Sequence, residues 1–272
     1  MADALNGLTA EPAAEREEPG APAARADRLL VVEDNVVNQR VLEAMLAKRG
    51  FGVDTAGNGR EALSMLAAGD YGLVFMDCQM PELDGYEATG AIRAGEEGRD
   101  EHLPVVAMSA HALKGDRERC LAAGMDDYLS KPLRPHELDA VLERWLGAAA
   151  PVPAPAVVAA AGDALVDETR MRVFRDDYPE IVEQLVELFA DSTPPLLREL
   201  RAAAENGDAA ELKQAAHKLK GSCQNIGASG MAGIAAEIER ASAASFESLD
   251  RLEIAYDQTC AALRAALIPV AG

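Results

Sequence analysis

From Arg28 to Leu146, short and strongly apolar runs alternate five times with segments whose apolar positions recur at helical spacing, an order that few folds accommodate. Leu29-Leu30-Val31-Val32 opens the series. It precedes a helix in which Val37, Val41, Leu42, Met45 and Leu46 recur together and Gly50 is placed as the stop. Further strands are predicted at Val53 to Ala56, Leu73 to Met76, Pro104 to Met108 and Tyr128 to Ser130. Helices are predicted at Gly59 to Ala68, Tyr86 to Ala94, Lys114 to Ala123 and Pro135 to Leu146. This alternation implies an α/β domain, a doubly wound five-stranded parallel sheet covered on both faces. Ligand chemistry in such a sheet belongs at the carboxyl ends of its strands.

The texture changes on either side of this region. Residues 1–26, rich in Ala, Pro and Glu without periodicity, read as a disordered tail, which leaves 27–146 as the α/β domain. Residues 147–162, with Pro151, Pro153 and Pro155 among alanines and valines, read as a linker. Residues 163–268 carry no strand pattern. They read as an all-α antiparallel bundle with helices at 167–175, 180–203, 208–225, 230–242 and 246–267, the second bent or broken at Pro194-Pro195. Turns fall at Asn206-Gly207-Asp208 and at Gly227 to Gly230, and the two halves show no internal repeat.

A chain of 272 residues has room for two such domains. Its formal net charge of −20 disfavours nucleic acid and anionic membrane as direct partners, because both require clustered cations. No apolar stretch approaches the roughly 18–20 residues that span a bilayer, and the N-terminus lacks the basic and apolar regions of a secretory signal, so the expected location is cytoplasmic without membrane insertion. The Met-Ala start and the tail favour a complete protein. Cys78, Cys120, Cys223 and Cys260 lack metal-ligand spacing and read as reduced thiols. Cys78 invites a redox reading, against which a strand-end cysteine beside a core is usually a small hydrophobe.

Glu33 and Asp34 fall just after the first strand and Asp77 just after the third, so three carboxylates converge on one edge of the sheet. Each acid could instead cap the helix that follows it. Like charges brought together call for a cation, and Mg²⁺ fits as a hard ion that takes one or two carboxylates and shares oxygens with a phosphoryl group. Ser109 ends the fourth strand and offers a hydroxyl; Lys131 ends the fifth and offers an ammonium. Phosphoryl transfer needs mainly positioning and charge neutralisation, which these groups supply.

Glu33-Asp34, Phe75-Met76-Asp77-Cys78-Gln79-Met80-Pro81, Leu83-Asp84-Gly85-Tyr86, Met108-Ser109-Ala110 and Lys131-Pro132 together resemble the ordered motifs of response-regulator receiver domains, especially those attached to hybrid histidine kinases. The resemblance spans residues 28 to 146. It implies a flavodoxin-like fold, Asp77 as phosphoacceptor, and Mg²⁺ bound by Asp34, Asp77 and the backbone carbonyl of Gln79, with Glu33 acting largely through water. Ser109 and Lys131 would hold phosphoryl oxygens, Tyr128 would reorient on phosphorylation, and the Lys131-Pro132 bond would be cis. Glu33, Ser109 and Leu83 stand where Asp, Thr and Met are common in the family, and each keeps the needed chemical character.

In the bundle, a helical wheel gathers Leu212, Ala216, Leu219, Cys223 and Ile226 on one face and turns His217 nearly opposite, toward water or a partner, with Lys213, Gly221, Lys220 and Gln224 around it. His217-Lys218-Leu219-Lys220-Gly221-Ser222 resembles the signature of histidine phosphotransfer domains, over about 165 to 268. This resemblance implies that His217 is a phosphoacceptor, that Gly221 lets receiver loops approach the imidazole, and that Lys220 helps balance the incoming charge; a solvated helix face is the bland alternative for Lys220. The chain then reads as a two-component phosphorelay intermediate, not a kinase, whose partners are a sensor histidine kinase and a downstream response regulator. A phosphorylation-controlled interaction switch, with His217 as a phosphate sink, is the alternative.

Overall fold

The computed structural model describes residues 28–98, 102–109, 114–147, 164–241 and 244–267; the expected tail, and the expected linker apart from Gly147, lie outside the described residues. The strands are β1 (Arg28–Val32), β2 (Gly52–Ala56), β3 (Leu73–Asp77), β4 (Val105–Ser109) and β5 (Asp127–Ser130). They form one parallel sheet in the order β2-β1-β3-β4-β5. Helices α1 (Val36–Ala47), α2 (Gly59–Ala68), α3 (Gly85–Glu96), α4 (Lys114–Ala122) and α5 (Pro135–Leu146) alternate with them. Side chains point alternately to the two faces. Leu29, Val31, Phe75, Val106 and Met108 accordingly enter one apolar cluster, while Leu30, Val32, Val74, Met76 and Ala107 enter the other. Both faces being covered is why these strands read as unbroken apolar runs.

The order reverses between β1 and β3, whose ends are paired through Val32 and Met76. Glu33, Asp34 and Asp77 therefore leave the sheet side by side. Asp84 caps α3 in a reciprocal capping box with Glu87, and Gly85 follows because nothing larger fits: a Cβ there would lie 2.1 Å from the carbonyl oxygen of Asp77.

Among its described residues the second half carries helices and no strand: α6 (Glu168–Asp177), α7 (Pro179–Asn206), α8 (Ala209–Ile226), α9 (Ser229–Ala241) and α10 (Phe246–Ala266). Gly207 and Gly227 end α7 and α8 in left-handed conformation, at φ 69° and 87°, and Asp208 caps the start of α8. Of the expected bend or break at Pro194-Pro195, the break does not occur: α7 runs continuously through both. Proline at 194 cannot donate to the Ala190 carbonyl, and the Tyr256 hydroxyl of α10 donates to it instead at 2.7 Å. Tertiary packing thus satisfies the group that the ring leaves unpaired.

The two halves are packed together. The apolar cluster on the α1 and α5 side of the sheet continues without interruption into the bundle, and α1 lies against both α7 and α8. Tyr256→Phe is expected to lower stability by about 1 kcal/mol, the net worth of one hydrogen bond plus the cost of an unpaired carbonyl. Urea unfolding followed by circular dichroism checks this; an unchanged midpoint would show that the Ala190 carbonyl finds another donor.

Candidate functional site

The loop after β1 carries Glu33 and Asp34, and β3 ends on Asp77; one carboxylate oxygen from each lies within 4.8 Å of the others. Neither Glu33 nor Asp34 caps α1, because Asn35 does, its side-chain oxygen accepting from the amides of Val37 and Asn38. Glu33 is buried, accepting from Asn38 Nδ2 at 2.8 Å and from Lys131 Nζ at 2.5 Å. The same Lys131 ammonium donates to Asp77 Oδ2 at 2.6 Å, and the Gln79 amide donates to Asp77 Oδ1 at 3.1 Å.

Electrostatics follow from this crowding. Burial, then the charge of Asp77, pushes the Glu33 carboxyl up to about 8, and burial also raises Asp34. Burial alone would lower Lys131, yet Asp77 and Glu33 outweigh it and hold the ammonium above its ordinary range. Glu33 and Asp77 share the buried Lys131 ammonium while Asp34 pairs with Lys218, and the oxygens of the three carboxyl groups together form a donor set that suits a hard divalent cation. Ser109 closes β4, buried, with its carbonyl accepting from the Lys131 amide at 2.8 Å. Tyr128 is half-buried on β5 against the second apolar cluster, and Lys131-Pro132 is cis. Cys78 is buried with its thiol 3.5 Å from that of Cys120 and pushed up, by that contact first and then by burial, as befits a packing residue.

His217 departs from the helical-wheel expectation. Its side chain is only 16% exposed and turned onto α9, where Nδ1 meets Glu239 Oε1 at 2.6 Å. A carboxylate only accepts, so Nδ1 is the donor in this contact and Nε2 is the other ring nitrogen. Lys220 is likewise not on a solvated face. It is buried and donates to Glu239 Oε2 at 2.5 Å, so it holds the carboxylate that orients the imidazole. Burial would raise Glu239, but hydrogen bonds from His217 and Lys220 outweigh it and bring the carboxyl down to about 2. Sequence inspection overlooked Glu239, although a signal exists: Met231, Ile234, Ala235 and Ile238 define an apolar stripe, and Glu239 occupies its next position.

The bundle brings α8 onto the acidic site. Lys218, beside His217, pairs with Asp34 Oδ2 at 2.9 Å. Asn35 Nδ2 donates to Ser222 Oγ at 2.5 Å, and Asn225 Nδ2 donates to Asn38 Oδ1 at 2.7 Å. Gly221 is buried between these contacts, where an added Cβ would lie 3.3 Å from Asn38 Nδ2. Arg170 of α6, which burial lowers to about 10, donates to the carbonyls of Leu133 at 2.7 Å and Asn225 at 3.0 Å.

Residues 29–143 match the family model of the response regulator receiver domain, and residues 184–266 match that of the Hpt domain. The chain is a receiver domain followed by a histidine phosphotransfer domain, the pairing of a two-component phosphorelay. Sensor protein GacS of Pseudomonas syringae pv. syringae is 33% identical over 231 residues, covering 82% of this chain and 25% of that protein. Hybrid signal transduction histidine kinase I of Dictyostelium discoideum is 42% identical over 120 residues, covering 42% of this chain and 7% of that protein. The chain therefore spans a quarter or less of the length of these relatives. Among solved structures, the magnesium-bound receiver domain of sensor histidine kinase PA1611 from Pseudomonas aeruginosa PAO1 is 49% identical, with a TM-score of 0.41, covering 44% of this chain and 98% of that one. The complex of Saccharomyces cerevisiae Ypd1 with the receiver domain of Ssk1 matches at 36% identity and a TM-score of 0.41, over 43% of this chain and 87% of that one. No helix among the described residues is long and apolar enough to cross a membrane.

Glu239→Gln is expected to lower stability at neutral pH by about 1–3 kcal/mol, since it removes a carboxylate that two donors hold ionised. A depressed carboxyl contributes stability that is full above its unfolded value near 4.5 and is lost as pH falls toward about 2. The variant should therefore lose part of the acid limb of the wild-type stability profile in that window. Urea midpoints measured from pH 7 to pH 2 decide it; parallel wild-type and variant curves would refute the assignment.

Proposed function

We propose that the chain is a phosphorelay intermediate: Asp77 accepts phosphoryl from a phosphohistidine of a sensor kinase, and His217 exchanges phosphoryl with a receiver aspartate, Asp77 or one on a separate response regulator. The observation that carries this is the seating of α8 against the acidic site, with Lys218 on Asp34 directly beside His217. Two groups that exchange phosphoryl must approach within bonding reach, and here the helix of one faces the loop of the other.

Asp34, Asp77 and the Gln79 carbonyl would hold Mg²⁺, with Glu33 acting through water. Mg²⁺ supplies charge neutralisation for the phosphoryl oxygens when bound. On arrival, the nitrogen–phosphorus bond of the donor breaks as an Asp77 carboxylate oxygen bonds to phosphorus. Lys131, already on Asp77, and the Ser109 hydroxyl then take phosphoryl oxygens. Lys131 moves from stabilising a carboxylate to stabilising its acyl phosphate, and Tyr128 reorients as Ser109 engages. In the second exchange the oxygen–phosphorus bond breaks and His217 Nε2 bonds to phosphorus. Glu239 stabilises the ring as it becomes cationic, and Lys220 keeps Glu239 in place. The chain acts in the cytoplasm, between a sensor histidine kinase and a response regulator, as a carrier rather than a kinase.

Small phosphodonors are expected to label Asp77 only with Mg²⁺ present, and Asp77→Asn should abolish that label. Undiminished labelling of the variant, or of wild type in excess chelator, would refute the assignment. Gly221→Leu should leave the bundle helical, since leucine is the better helix former, yet block transfer between Asp77 and His217 by filling the approach at Asn38. Circular dichroism and phosphotransfer assays read the two effects separately. Unchanged transfer in a folded variant would show that the exchange does not pass over this face.

A further inference from the structure

Lys218, Gly221, Ser222 and Asn225 lie on one stripe of α8, at the spacing i, i+3, i+4 and i+7, and each meets the receiver of the same chain. The contacts are specific. Asn35 and Asn38, one turn apart at the start of α1, face Ser222 and Asn225, and Asn38 also donates to Glu33 of the acidic site. Beyond this stripe, Arg170 reaches the Leu133 carbonyl, Lys48 lies 4.6 Å above the Tyr178 ring and contacts Asp177, and Arg49 donates to the Tyr178 hydroxyl at 3.4 Å. A shared apolar cluster lies beneath these polar contacts. The bundle and receiver of one chain therefore form a closed unit with a continuous core.

Resting on the relay function proposed above, we infer that the receiver-docking face of α8 is occupied in cis, so that His217 exchanges phosphoryl with a second receiver domain only after this chain's own receiver has lifted away. One stripe holds one receiver. Gly221 is already within 3.3 Å of Asn38 for an added Cβ, which leaves no space for a second helix between them. The partner that fits is another receiver domain presenting side-chain amides at the start of its first helix, where this chain has Asn35 and Asn38. Closed chains exchange between Asp77 and His217; open chains hand phosphoryl onward. Cis and trans transfer are mutually exclusive at this surface, and a receiver in trans competes against a tethered one at high effective concentration.

The test locks the closed form at a place remote from both phosphoacceptors. Lys48 and Asp177 are about one-third exposed, with Nζ and Oδ1 3.6 Å apart, and all four native cysteines are buried. Full-length chain carrying Asp77→Asn with Lys48→Cys and Asp177→Cys is phosphorylated at His217 with phosphoramidate, then treated or not with a short bismaleimide. A full-length His217→Gln chain, with Asp77 intact, is the acceptor. Cross-linking is expected to occur within single chains in high yield, and to slow transfer to the acceptor at least about tenfold relative to the untreated donor. The same cross-link in a chain with Asp77 intact should leave Asp77-to-His217 exchange unimpaired. Cross-links formed only between chains, or equal trans rates with and without the cross-link, overturn the inference while leaving the relay standing. Absence of label on His217 in every uncross-linked chain overturns the relay function and the inference together.

Discussion

The Lys131 ammonium, buried between Glu33 and Asp77, is the contact on which the receiver half depends. Strand order delivers three carboxylates to one edge of the sheet, and their mutual repulsion out of water would be costly without a cation among them. The lysine comes from the end of β5, on the far side of β4, so its reach ties the last strand to the first and third. Asn38 completes the other side by donating to Glu33. The same carboxylates that create the electrostatic problem are the ones that phosphoryl chemistry requires.

The bundle supports this arrangement from outside. Arg170 holds the carbonyl of Leu133, two residues beyond Lys131, and Lys218 neutralises Asp34. A mirror of the receiver's logic exists on α8 and α9, where the Glu239 carboxylate is shared by the His217 ring and the Lys220 ammonium. In both places a carboxylate held between two partners fixes the position of the groups around it.

Much of the fold was legible because its signals are local. Apolar runs, helical spacing and the glycines placed as stops report on neighbours a few residues away. The acidic site was legible because strand ends in a parallel sheet converge whatever lies between them. The burial of His217 and Lys220 was not legible, for the opposite reason. A helical wheel measures angle from one apolar face, and α8 has a second buried face against α9 and the receiver, where polar groups satisfy one another. Pro194 misled similarly: the loss of a backbone donor is local, while the Tyr256 hydroxyl that compensates lies 66 positions from the Ala190 carbonyl it serves.

By itself, the sequence determined the two architectures, the strand-end carboxylates with their lysine, and the histidine of α8, since periodicity and spacing depend only on the chain's own order. Tertiary structure alone decided that Nδ1 of His217 meets Glu239, that Lys220 is buried against the same carboxylate, and that the receiver of this chain packs against its own bundle. Those outcomes depend on pairs such as His217 with Glu239 and Asn38 with Asn225, separated by 22 and 187 positions, and only packing brings such pairs within hydrogen-bonding distance.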